Sequence, residues 1–146
     1  MKTIHLMTAS LAPGDAIGNY VVTSARLWQE MGVPVQLYAD HVHPAFRQVA
    51  LPSALYPNTG RDLLWYHYSI AADNVAVARR SRDLRVMDYH GVTPPHLFAG
   101  YDARLEALCR QGRDALPGLT AVFDHVVVHS GFTRAEIAAL GVPAHR

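Results

Sequence analysis

The sequence predicts an α/β fold, a mostly parallel Rossmann-like sheet with helices on both faces. Three observations carry the prediction. Short apolar runs alternate with stretches of helical period along the whole chain, the pattern of successive βαβ units. The runs rich in β-branched and aromatic residues, such as Val126-Val127-Val128, are too short for helices. Several runs end in polar residues or glycine, and an open α/β sheet binds ligands at the carboxyl ends of its strands.

In order, residues 3–8 read as strand one, followed by a loop containing Gly14 and Gly18. Helix one spans about 19–31: Val21, Ala25 and Trp28 share a stripe, Gly32 caps its end and Pro34 follows. Strand two is 35–39. Residues 40–61 show no sustained period and read as loop with short helical turns. Strand three, 63–66, runs into His67-Tyr68-Ser69, with Ser69 placed to cap a helix over 70–80. Strand four is 84–89, stopped by Gly91 and Pro94-Pro95. A helix over 97–116 and strand five, 125–129, come next. Ser130 caps a last helix over 133–140.

The chain has 146 residues, half of them hydrophobic and 17% charged, which suits one globular domain with its own core. A net charge of +1 gives no case for nucleic acid as a partner. The single cysteine, Cys109, excludes an internal disulfide and reads as a helix-packing residue. No apolar run approaches the ~20 residues of a membrane span. The first residues are too short an apolar run for a secretory leader, so a cytoplasmic protein is expected. The sequence stops shortly after Pro143, where a further strand is expected, and so reads as part of a longer chain.

Four strand ends supply the candidate site. Gly14 and Gly18 bracket the first loop, and Asn19 opens helix one; bare backbone there allows close approach of an anion. His67, Tyr68 and Ser69 follow strand three, His90 and Thr93 follow strand four, and Ser130 and Arg134 follow strand five. No His-Glu-x-x-His or paired-cysteine spacing supports a metal, and no Gly-x-Ser-x-Gly supports a hydrolase nucleophile. Arg79, Arg80, Arg82 and Arg85 read as a solvated helix end, with an anionic acceptor or membrane surface as the alternative contact.

Four stretches, in order, resemble the N-terminal domain of a retaining glycosyltransferase of the group 1 type (family 4, GT-B fold). They are Gly14-Asp15-Ala16-Ile17-Gly18-Asn19, Trp65-Tyr66-His67-Tyr68-Ser69, Asp88-Tyr89-His90-Gly91-Val92-Thr93-Pro94-Pro95 and Val128-His129-Ser130-Gly131-Phe132-Thr133-Arg134. Gly91 stands where the family has asparagine, and Gly131 where it commonly has an acidic residue. The resemblance covers essentially the whole chain and implies one half of a two-domain enzyme. A second domain, absent here, would carry the nucleotide pocket. The donor would be a nucleotide-diphosphate sugar and the acceptor a sugar or lipid-linked molecule, with no metal or other cofactor. By position, His90 would be catalytic, hydrogen-bonding the donor sugar, and the backbone near Gly14, Gly18 and Asn19 would approach the diphosphate or the acceptor. His67, Tyr68, Ser69, Thr93, Ser130 and Arg134 would line the acceptor side. The implied location is the cytoplasm, with peripheral contact at the inner face of the membrane. The alternative is a non-catalytic sugar- or nucleotide-binding module, or a subunit of a split transferase.

Overall fold

The computed structural model describes residues 2–145. Six parallel strands form one sheet: β1 (Ile4–Leu11), β2 (Val35–Val42), β3 (Ala50–Pro52), β4 (Leu63–Tyr68), β5 (Leu84–Tyr89) and β6 (His125–Val128). Their order is β3-β2-β1-β4-β5-β6, a Rossmann-like arrangement with its switch point between β1 and β4. The fourth strand of the sequence reading is thus β5 and the fifth β6. β3 is an extra strand inside the segment read as loop, paired with β2 from Leu37↔Ala50 to Ala39↔Pro52.

One face of the sheet carries α1 (Ala16–Glu30), whose Val21 and Ala25 are buried against Leu6, Leu11, Leu37 and Ala39. The opposite face carries α2 (Val75–Arg79), α3 (Ala103–Val122) and α4 (Gly131–Ala139) over a larger core of Leu64, Tyr66, Tyr68, Met87, Tyr89 and Phe123. Adjacent parallel strands put paired residues on the same face, so register decides which strand ends meet. His67 pairs with Asp88, and Asp88 with Val127. Two residues further on, His90 and His129 lie on that same face, the one α1 covers.

Three sequence expectations are corrected. Helix one begins at Ala16 rather than Asn19, because the Asp15 side chain caps it by accepting from the Ile17 and Gly18 amides. Gly18 and Asn19 therefore lie in its first turn and not in a loop. Ser69 caps nothing: α2 starts at Val75, because Asn74 pins the preceding loop to the sheet. The Asn74 amide donates to Thr8 O and Ser53 Oγ, and its own oxygen accepts from Tyr66. The helix read over 97–116 divides into a 3₁₀ turn, Pro95–Phe98, and α3. Asp102 caps α3, its Oδ1 accepting from the Leu105 amide at 2.9 Å. The helix passes through Pro117, because Leu116 and Leu119 on either side are buried in the core. That packing offsets a proline penalty of about 3 kcal/mol.

Ser130 caps α4 as expected, with Thr133 completing a capping box. Gly32 follows the α1 C-cap with φ +78°, the left-handed conformation that glycine adopts without strain. No helix among the described residues is long and apolar enough to cross a membrane.

Candidate functional site

At the carboxyl end of β4, β5 and β6, three imidazoles surround one carboxylate. Asp88, the fifth residue of β5, is fully buried. Its Oδ2 accepts from Trp65 Nε1 at 3.0 Å, and its Oδ1 accepts a short hydrogen bond from His129 Nε2. His67 Nδ1 lies 3.5 Å from Oδ2 and His90 Nε2 3.5 Å from Oδ1. The two imidazoles share a hydrogen bond of 3.1 Å between His67 Nδ1 and His90 Nε2. His90 and His129 stack at 4.7 Å between centroids. Tyr20, reaching over from α1, presents itself edge-on to all three rings at 5.4–5.8 Å.

Burial sets the electrostatics. Desolvation pushes His67 down to about 3, against the opposing pull of Asp88, so its imidazole is neutral near pH 7. Burial also lowers His90, again opposed by Asp88. His67 Nε2 is buried without a hydrogen-bond partner. Among the described residues, no lysine or arginine contacts Asp88. A buried carboxylate faced mainly by neutral imidazoles is unusual, because buried charge is costly unless it is paired.

Beside this cluster, a largely apolar cavity of about 290 Å³ opens between α1 and the sheet. Tyr20, Leu27, Trp28, Met31, Trp65 and His67 line it, and the two indoles sit 6.4 Å apart. Aromatic walls with a few polar groups are the usual make-up of a small-molecule site.

The sequence-selected residues divide sharply. His67 and His90 meet directly, and Ser130 lies one residue past His129. Tyr68 does not join them. Strand alternation turns it to the opposite face, where it is buried and its hydroxyl donates to Gly112 O at 2.6 Å; its assignment to the acceptor side is corrected accordingly. Burial raises its phenol to about 12, so it stays protonated. Ser69 is half-buried in the loop after β4, and Thr93 is exposed in the loop after β5. Arg134 is exposed on α4 and lines a cavity with Val126, Val128 and Ile137 beside β6, the edge strand.

Gly14 is exposed with φ +82°, so its turn favours glycine whatever approaches it. At Gly18 an added Cβ would lie 3.0 Å from Asp15 Oδ2, so the small residue makes room for the cap. The first amides of α1 are thus taken by a carboxylate of this chain, which an incoming anion would have to displace. Asn19 is exposed one residue further along.

Sequence reasoning missed Asp88, His129, Tyr20 and Trp65 as members of the site. Asp88 did carry a signal, a charged residue inside an apolar strand. No family model matches the chain, and neither a curated protein nor a solved structure matches it.

Proposed function

We propose that this chain is the N-terminal, acceptor-side domain of a retaining glycosyltransferase of the group 1 type, acting on a nucleotide-diphosphate sugar. The observation that supports this best is the His67–His90 pair. The two residues that the resemblance puts on the acceptor and donor sides share a hydrogen bond at the carboxyl edge of the sheet. This is the edge where open α/β folds place their ligands. The apolar cavity alongside suits an acceptor with an apolar portion, in keeping with a lipid-linked class.

In the transfer, the bond between the sugar's anomeric carbon and the diphosphate oxygen breaks. A bond to the acceptor oxygen forms on the same face, and the acceptor's hydroxyl proton passes to the departing diphosphate oxygen. His90 hydrogen-bonds the donor sugar beside the reacting carbon. His67 fixes the ring orientation and tautomer of His90, and the Asp88 carboxylate anchors the group from below. Gly14 lets backbone approach the ligand, and Ser130 and Thr93 border the acceptor route; Arg134 lines the separate cavity beside β6. The departing diphosphate is held mainly by the second domain, with no metal or cofactor required. A cytoplasmic enzyme with peripheral contact at the inner membrane face fits this reading.

The test uses the native polypeptide that carries this sequence, with a panel of nucleotide sugars and nucleoside diphosphate release as readout. Release is expected with one donor, and His90→Ala is expected to lower it ~10²–10³-fold, the scale of losing one preorganised transition-state donor. Release by none of the panel, or an unchanged rate in His90→Ala, would leave a binding module as the better reading.

A further inference from the structure

We propose that His67, Asp88 and His90 form a binding site for a divalent transition-metal ion of the zinc class, with a coordination position left for an outside ligand. Three independent observations lead there. The first is geometry. Donors held at about 2.0–2.1 Å around a tetrahedral zinc ion stand about 3.3–3.4 Å from one another. Here His67 Nδ1 and His90 Nε2 are 3.1 Å apart; His67 Nδ1 is 3.5 Å from Asp88 Oδ2 and His90 Nε2 is 3.5 Å from the other oxygen, Oδ1. One donor atom from each residue lies within 4.8 Å of the others.

The second observation is charge. Asp88 is fully buried, and its close partners are an indole N–H and imidazoles rather than a lysine or arginine. A cation among these donors balances the carboxylate where, among the described residues, no lysine or arginine reaches. Two neutral imidazoles and a carboxylate are also a donor set suited to zinc, iron(II) or cobalt(II).

The third is the support behind the donors. Trp65 Nε1 holds Asp88 Oδ2, and His129 Nε2 holds Oδ1, the kind of outer hydrogen bonding that orients metal ligands. In the metal-free arrangement, a proton bridges His67 and His90. Metal binding replaces that bridge and needs both reacting nitrogens free of protons, so affinity falls as pH drops through the imidazole range.

The amino end of the same sheet holds a second cluster of the same residue types, differently bonded. His5, Asp62 and Asp83 also lie within 4.8 Å. There, however, both carboxylates already accept backbone amides and hydroxyls. The same two nitrogens make the His67–His90 hydrogen bond of the transferase reading, so metal and that bond exclude each other, and zinc binding is measured separately from nucleoside diphosphate release.

Equilibrium dialysis of the 146-residue chain against zinc at pH 7.5 tests it, with cobalt(II) absorbance reporting the donor set. One zinc per chain is expected, with intense visible cobalt bands of a tetrahedral site. His90→Ala and Asp88→Asn should each weaken binding ~100-fold or more, while the surface double variant His41→Ala/His43→Ala should not. Imidazole NMR of the unaltered protein guards against a variant that fails to fold: zinc should shift His67 and His90 and leave His5 in place. Absence of stoichiometric binding, retention of it in a folded His90→Ala, or zinc shifts confined to His41 and His43 would each overturn the proposal.

Discussion

At the amino end of the sheet lie His5, Asp62 and Asp83; at the carboxyl end lie His67, Asp88 and His90. The residue types are nearly the same, but their bonding differs. Asp83 accepts from Tyr56 Oη in a short hydrogen bond, from the Arg61 and Asp62 amides at 2.9 and 3.1 Å, and from Thr59 Oγ1 at 3.1 Å. Asp62 accepts from Thr3 N at 2.9 Å and from Thr59 Oγ1. Burial opposes ionisation of Asp83, yet the bond from Tyr56 and its companions outweigh that and hold it below the usual carboxylate range. Asp62 is lowered first by the Thr3 amide. Tyr56 is pushed upward by burial and by Asp83. These carboxylates tie loop 58–62 to the start of β5 and have little capacity left over. Asp88 is bonded to side chains alone, and those side chains keep reactive nitrogens facing one another. The amino end's carboxylates are held by backbone amides and hydroxyls, the carboxyl end's by side chains alone.

The strongest way to break this comparison is to remove each carboxylate in turn. Asp83→Ala strands four donors in or near the buried region and should cost about 3–5 kcal/mol of folding stability, read from urea unfolding. It should leave zinc binding untouched in whatever fraction stays folded. Asp88→Asn keeps the shape and one acceptor, and should cost about 1–3 kcal/mol while weakening zinc binding ~100-fold or more. If Asp83→Ala proved nearly neutral, the amino end would not be the staple described here. If Asp88→Asn cost more than Asp83→Ala, the roles of the two ends would be reversed.

How far the sequence foresaw this follows the same division. His67, His90 and Ser130 were legible because glycine, proline and polar residues mark where strands stop. Asp88 and His129 were not, because they join through register, and pairing of His67 with Asp88 is a property of two strands that neither strand displays alone. Tyr68 was misplaced for a related reason: its neighbour His67 faces the site, and alternation sends the next side chain to the other face. The Ser69 cap failed because a distant residue, Asn74, had stronger uses for the loop: bonds to Thr8, Ser53 and Tyr66. The fold class was readable from local pattern. The site was readable at its ends but not in its middle.

A smaller effect separates the two histidine environments by pH. The folded-state pKa of His67, lowered to about 3 by burial, lies below the ordinary value of 6.5. The unfolded chain therefore binds the extra proton first, and stability must fall as pH drops below about 6.5 and continue falling toward about 3. The slope from this one group is about 1.4 kcal/mol per pH unit. His90, shifted the same way by burial, adds to it. Acid unfolding of His67→Gln should show a shallower slope between pH 6 and 4 than the unaltered chain. Equal slopes in the two proteins would mean that His67 gains a proton in the folded state at little cost, and that the carboxyl-end cluster already carries the positive charge assigned above to a metal.

The smallest effect distinguishes packing from ligand contact in the first turn of α1. Replacing Gly18 with alanine gains roughly 0.5–1 kcal/mol of helix preference. The new Cβ would lie 3.0 Å from Asp15 Oδ2, the far end of a side chain that can swing aside at the expense of part of its cap. A cap is worth about 1 kcal/mol, so the two terms nearly cancel and the melting temperature should move by only a few degrees. Activity is the sharper readout. If Gly18 serves only the cap, nucleoside diphosphate release by the native polypeptide is unchanged in Gly18→Ala. If a ligand approaches bare backbone here after displacing Asp15, release falls at least tenfold while stability holds. That second result would place an anion contact at the start of α1.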